Sequence, residues 1–394
     1  MDLSIYFEPV AVQIAESNGA LPEKRIADVI TAYTPGQEFP DPHGFDIALI
    51  GVQEERNVWL NQGCAKAPDD VREKLYHLYQ GRFKANLVDL GNIKPGNTVD
   101  DTYFALASVV STLVELNVTC VIIGGSQDLT FGQYRAYENL GRIINMAAVD
   151  CSFDLGNAEE VFNSRSYLSK IILQQPNYLF NYTNIGYQSY FVDYQALKLM
   201  KSLHFDTYRL GNLREDLKEL EPLVRNVDML SFDISAVRQS DAPANMNASP
   251  NGFYGEEACQ ITRYAGMSDK ISSVGFYEVN PQRDLYGQTA HLTAQMIWYF
   301  IDGYYNRKDD LPARDKSRYV RHIVMMDDYN QSIEFYKSKK SERWWMLLPS
   351  TPLANSGINR SIWIPCSYDD YLMASRDNEI PDKWWRAFKK LSLG

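Results

Sequence analysis

The chain has 394 residues, 45% of them apolar and 23% charged, with a formal net charge of −11 at pH 7. That length and composition suit a folded protein with a substantial core, built as one large domain plus an appendage or as two ordinary domains. The negative charge argues against non-specific nucleic-acid binding, which needs Lys and Arg to replace phosphate counterions, and leaves room only for a local basic patch.

The opening residues, MDLSIYFEPVAVQIAESNG, have no basic lead and carry acidic residues among the apolar ones, so no secretory signal is read. From about residue 45, short β-rich runs alternate with helical ones. Residues 46–52 (DIALIGV) form a near-continuous apolar run, as expected of a strand buried on both faces. Residues 101–117 repeat apolar side chains at helical spacing through Leu106, Val109, Val110, Leu113 and Leu116. Residues 104–123 are the most membrane-like stretch, yet Glu115 and Asn117 interrupt them, and they parse as a helix followed by a strand. Further core strands are expected at 118–123, 145–150, 228–235 and 271–278. Strands alternating with helices imply a mostly parallel sheet covered on both faces, with ligands bound beyond the carboxyl ends of its strands.

The polar segment 302–318 reads as a boundary. It divides the chain into an N-terminal segment (1–44), an α/β domain (45–303) and a C-terminal extension (304–394). Five of the seven tryptophans, Trp344, Trp345, Trp363, Trp384 and Trp385, fall in that extension. They either pack the extension onto the domain or offer a surface to a protein partner. Basic residues there are interleaved with acidic ones, so no nucleic acid is expected. Cys64, Cys120, Cys151, Cys259 and Cys366 are far apart and odd in number, and free thiols in a reducing cytoplasm are the simplest expectation.

Several carboxylates stand at strand ends: Asp150 and Asp154 in "VDCSFD", Asp233 in "LSFDIS", and Glu278 in "SVGFYE". Each could cap a following helix. Converging, they would repel one another unless a cation, donors or protons intervened.

The order of these blocks resembles the ureohydrolase superfamily of arginase, agmatinase and formimidoylglutamase. "LIGVQEERNVWLNQGCAKAPDDVREKLY" (49–76) looks like its N-terminal block, and "VDLGNI" (88–93) like its next strand. "GGSQDLTFG" (124–132) stands where GGDHS belongs, "DCSFDLG" (150–156) where DAHxD belongs, and "SFDISAVRQSDAP" (231–243) where SxDxD belongs. "EVNPQRD" (278–284) matches the late block closely, and "NSRSYLSK" is most similar to the formimidoylglutamase branch. The resemblance implies a three-layer α/β/α sandwich, two manganese ions with a bridging hydroxide, hydrolysis of a guanidinium or formimidoyl C–N bond, and a homo-oligomer.

Carried over position by position, the six implied metal ligands are Gln127, Asp150, Ser152, Asp154, Asp233 and Ser235, where the family has His, Asp, His, Asp, Asp and Asp. The flanking residues keep Gln127 rather than Asp128 in register. None of His43, His77, His204, His291 and His322 lies in these loops. One subsite keeps Asp150, Asp154 and Asp233 and gains the amide oxygen of Gln127. The other is left with Ser152 and Ser235, so a two-manganese centre is not expected. The remaining all-oxygen set suits one Mn²⁺, Mg²⁺ or Ca²⁺. Water or an ammonium group would fill it equally well, with no metal. Ser126, Ser152 and Cys151 lack a histidine base for nucleophilic chemistry. Glu278 stands where the family meets the amidine end of its substrate, so a cationic small molecule remains a candidate ligand.

Two functions follow as expectations. The first is a ureohydrolase fold that has lost its two-metal centre and serves as a non-catalytic binding or assembly component. The second is a single-metal amidinohydrolase resembling formimidoylglutamase.

Overall fold

The computed structural model describes residues 2–11, 24–156, 161–326, 331–349 and 362–393. Part of the N-terminal segment, residues 12–23, lies outside the described residues.

Ten strands form the main sheet: β1 (Phe7–Glu8), β2 (Ile30–Ala32), β3 (Ile47–Val52), β4 (Leu87–Ile93), β5 (Thr119–Ile123), β6 (Ile144–Val149), β7 (Leu179–Tyr187), β8 (Asp206–Arg209), β9 (Met229–Asp233) and β10 (Ser273–Tyr277). Their order is β1-β4-β3-β5-β10-β9-β6-β7-β8, with β2 also on β4, and every pairing is parallel except β1 with β4. The helices are α1 (Ala67–His77), α2 (Val99–Glu115), α3 (Leu129–Asn139), α4 (Tyr167–Leu173), α5 (Tyr194–Ser202), α6 (Leu210–Glu215), α7 (Leu220–Arg225), α8 (Gly255–Gly266) and α9 (Gln288–Tyr305).

The apolar runs are buried on both faces because successive side chains point to opposite sides of a strand. In β3, Ile47 and Leu49 join one core with α1, α8 and α9, while Ala48, Ile50 and Val52 join another with α2 and α3. The three layers are therefore helix, sheet and helix, the arginase-like sandwich expected. Helix α2 starts two residues earlier than the apolar spacing suggested, because Thr98 and Asp101 form a reciprocal capping box. The membrane-like stretch is divided between α2 and β5. Among the described residues, no helix is long and apolar enough to cross a membrane.

The expected boundary at residue 302 falls inside α9, which runs on to Tyr305. The Tyr305 hydroxyl pins that end, donating to Asp46 at 2.9 Å and accepting from the Asn86 N–H at 2.7 Å. Beyond it, β11 (Tyr319–Met326), β12 (Gln331–Ser338), β13 (Trp344–Leu347) and β14 (Trp363–Cys366) make a separate antiparallel sheet in chain order. Helices α10 (Tyr368–Asp377) and α11 (Asp382–Leu393) follow it. Trp345 and Trp384 are fully buried, Trp344 is buried, and Trp363 and Trp385 are half-buried. The five tryptophans thus serve packing, and the exposed aromatic cluster that would have spoken for a partner is not formed by them. The buried Arg225 of α7 lies 4.4 Å from the Trp345 ring and donates to the carbonyls of Trp344 and Cys366, joining the second sheet to the first domain.

Candidate functional site

Sheet order sets the site. Strands β5, β10, β9 and β6 are consecutive neighbours, and the register pairs Ile123 with Phe276, Phe276 with Phe232, and Phe232 with Val149. Four loops therefore leave the carboxyl edge at one level, bringing residues from positions 124 to 278 together.

The loop after β5 is threaded between two neighbours. Ser126 N–H donates to the Glu54 carbonyl at 3.0 Å, and Glu278 N–H donates to the Gly125 carbonyl at 2.8 Å. A Cβ at Gly125 would stand 2.0 Å from the Glu54 carbonyl oxygen, so the second glycine is a requirement of this close approach. Asp128 turns aside: its buried carboxyl accepts from the Tyr103 hydroxyl, and burial pushes it above the usual carboxylate range. Gln127 faces the site. Its backbone N–H donates to Glu278 Oε1 at 2.9 Å and its Nε2 to Ser231 Oγ at 2.9 Å, leaving the buried Oε1 without a partner.

Asp150, Asp154 and Asp233 are buried, each offering a carboxylate oxygen within 4.8 Å of the others. Asp154 holds a left-handed backbone at φ 48° and Glu278 one at φ 66°, conformations that cost roughly 1–3 kcal/mol each for non-glycine residues. Burial raises the pKa of all three aspartates above the usual carboxylate range, making them weaker acids. For Asp150 the charges of Asp154 and Asp233 add to it, and Asp233 is pushed up to about 7 with Asp154 as its second cause. The Asp150 Oδ2 atom has no partner.

The orphaned Asp150 oxygen within a converging carboxylate trio, with the orphaned Gln127 oxygen on the neighbouring loop, is the donor chemistry that a hard divalent cation takes. The two serine positions differ. The Ser152 hydroxyl donates to Asp154 Oδ1 at 2.9 Å, and the Ser235 hydroxyl stands 3.7 Å from the Cys151 thiol, so the second subsite presents hydroxyls where strong ligands are needed. Among the described residues, the three candidate nucleophiles have no histidine hydrogen-bonded to them. Ser126 is fully buried against Glu54, burial pushes the Cys151 thiol well up, and His43 and His77 are engaged with Asp41 and the Glu73 carbonyl elsewhere.

Glu278 closes the floor. Its Oε1 accepts from Gln127 N–H and its Oε2 from Asn61 Nδ2 at 2.8 Å; burial, then the charge of Asp233, pushes its pKa well up. Glu278, Asp154 and Asp233 line a cavity of about 290 Å³ whose lining also includes Trp59, Phe191 and the exposed Arg165. Arg165, in the "NSRS" stretch, and Asn61, in "WLNQG", carry no identifiable ligand pattern; only the folded loops bring Arg165 to the cavity and Asn61 to Glu278. Tyr167 and Tyr182 were equally silent in the sequence, yet both are fully buried where they feel the charges of Asp150 and Asp154.

The Arginase family model matches residues 45–302. The formimidoylglutamase of Streptococcus gordonii is 26% identical over 284 residues, covering 65% of this chain and 84% of its own. That of Lysinibacillus sphaericus is 26% identical over 267 residues, covering 64% and 82%. Among solved structures, the formimidoylglutamase of Bacillus subtilis superposes with a TM-score of 0.64 at 17% identity, over 74% of this chain and 96% of that one. The Trypanosoma cruzi formiminoglutamase with Mn²⁺ gives a TM-score of 0.64 at 18% identity, over 73% of this chain and all of that one.

Proposed function

The chain belongs to the arginase family, and on that footing we propose that it is an amidine-directed hydrolase of formimidoylglutamase type working with one divalent cation. The observation that carries this reading is the bipolar cavity, with carboxylates at its floor and the Arg165 guanidinium at its exposed end. Such a cavity matches a substrate with an amidinium head and a carboxylate tail, since opposite charges orient the molecule end to end. The family's formimidoylglutamases, to which this chain is similar, are named for a substrate of that form.

Asp150, Asp154, Asp233 and Gln127 would hold the cation, which when bound supplies charge to activate water and polarise the C–N carbon. The chain's own residues do the rest. Glu278, fixed from both sides by Asn61 and the Gln127 N–H, presents its carboxyl group to the amidine nitrogens. Arg165 anchors the tail at the open end, and Trp59, 5.9 Å from that guanidinium, narrows the opening to water. Ser152 holds Asp154 in its left-handed position through their hydrogen bond.

Hydrolysis of N-formimidoyl-L-glutamate by manganese-loaded protein tests the reading, with formamide release as the signal. The expected result is turnover that Asp150→Asn abolishes and that Arg165→Met slows mainly through KM. Turnover no faster than the Asp150→Asn protein would overturn it. The replacement of two metal ligands by Ser152 and Ser235 favours a second reading, a site that binds the zwitterion without turnover. That reading expects the compound to raise the melting temperature of a protein that shows no release.

A further inference from the structure

A second chamber, of about 490 Å³, lies at the opposite edge of the main sheet from the carboxylate site. Its walls come from the amino ends of β6, β7 and β8 (Asn145, Phe180, Asn181, Asp206), and from α7. The C-terminal sheet and α11 close it, through Trp345, Trp363, Ile364, Ala387 and Leu391. The volume falls within the roughly 300–1,000 Å³ of small-molecule sites, and the lining is mostly apolar.

The charges around it are uneven. Arg225, Lys270, Lys383, Arg386 and Lys390 line the chamber against a single carboxylate, Asp206. Four of the five cations have acidic partners: Lys383 pairs with Glu219 and Asp370, Lys270 with Asp228, Arg386 with Asp206, and Arg225 with Glu221. Among the described residues Lys390 makes no ion pair: it donates to the Asn181 side-chain oxygen and lies over the rings of Phe180 and Phe205, with Asp206 acting on it only at a distance. Arg225, 3% exposed, also keeps Nη1 without any acceptor. An apolar chamber with five cations and one lining carboxylate, an ammonium in no ion pair and a buried guanidinium N–H with no acceptor asks for an anion attached to an apolar body.

We propose that this chamber is a binding site for an amphipathic carboxylate, an apolar chain or ring bearing one acid group, whose head is held by Lys390. The acid group gives Lys390 a directly bonded counter-charge, and the apolar body fills the space between the Trp345 and Trp363 rings, Ile364 and Leu391. Burial and the nearby Arg386 lower the Lys390 pKa to about 8 against the opposing pull of Asp206, so the ammonium is destabilised until an anion arrives. The site is separated from the carboxylate cavity by the length of the strands and uses none of its residues.

Titration calorimetry of the full chain with laurate, kept below its micelle concentration, tests the assignment. Dodecanol and dodecyltrimethylammonium serve as neutral and cationic controls, with Lys390→Met and Ala387→Phe as variants. The expected result is one laurate per chain, no binding of either control, about tenfold or greater weakening in Lys390→Met, and loss in Ala387→Phe. Near-ultraviolet circular dichroism checks that both variants are folded, and Lys390→Met preserves the stem and packing of the lysine. Absence of laurate binding at millimolar concentration, equal binding of dodecanol, or an affinity unchanged in folded Lys390→Met would each overturn the proposal.

Discussion

The Ser152 hydroxyl donates to Asp154 Oδ1 at 2.9 Å, while its backbone N–H donates to Asp150 Oδ1 at 2.8 Å. A residue at a ligand position thus acts as a donor to two ligands on either side of it. It partly neutralises the repulsion of a buried carboxylate pair, and it brings no lone pair strong enough to hold a second cation.

Restoring imidazole and carboxylate should therefore restore the second subsite. Ser152→His combined with Ser235→Asp is expected to raise manganese, measured after loading and desalting, from one to two per chain. A ratio that stays at one would mean that the surrounding backbone, not the side-chain chemistry, forbids the second ion.

Glu278 accepts one N–H on each carboxylate oxygen, from Gln127 and from Asn61. In Glu278→Gln one of those donors would face the new amide NH₂, leaving a buried N–H unsatisfied. The expected cost is about 1–3 kcal/mol of stability by urea unfolding, with loss of amidine binding. Unfolding at the wild-type midpoint would count against this reading of the floor.

Arg72, fully buried, holds Asp89 through Nε at 2.8 Å and Nη2 at 3.0 Å, and Tyr76 donates to the same carboxylate at 2.8 Å. This pair ties α1 to β4. Arg72→Met leaves Asp89 buried without its cation, and should cost about 3–5 kcal/mol in urea unfolding. The Asp89→Asn, Arg72→Met double variant is expected to recover part of that loss.

Lys390 gives a pH prediction. Burial first, and then the charge of Arg386 on α11, lower its folded value to about 8 from 10.5, against the opposing pull of Asp206 on β8. The Asn181 oxygen and the Phe180 and Phe205 rings that also touch it do not titrate. Below pH 8 the lysine is charged in both states, and the full penalty of burying that charge is present. Between pH 8 and 10.5 the unfolded chain binds more protons, so stability rises with pH. Lys390→Met should be more stable than wild type at pH 7, with the gap closing by pH 10. A gap independent of pH across that window would contradict the account.

How much of this was legible in the sequence depends on the kind of signal. The apolar runs at 47–52 and 119–123 announce doubly buried parallel strands, because they are short, rich in β-branched residues and followed by polar or glycine residues. The sequence does not announce strand β7: Asn181, Thr183 and Asn184 break its apolar pattern, and side-chain hydrogen bonds satisfy the two asparagine amides. The C-terminal sheet was missed for a related reason. Its tryptophans are spaced for antiparallel pairing, where partners such as Trp345 and Pro365 are assigned by the register and not by local sequence.

The sequence by itself determined the family, the layered α/β fold and the identities of the groups at each strand end, since those follow from local composition and block order. Tertiary structure alone decided that Asp150, Asp154 and Asp233 converge, that Gln127 hydrogen-bonds to Glu278, that Arg165 lines one cavity with Asp154, Asp233 and Glu278, and that Lys390 makes no ion pair among the described residues. Burial and distance set the strength of every charge in the molecule, and both are properties of strand order and packing that no linear spacing encodes.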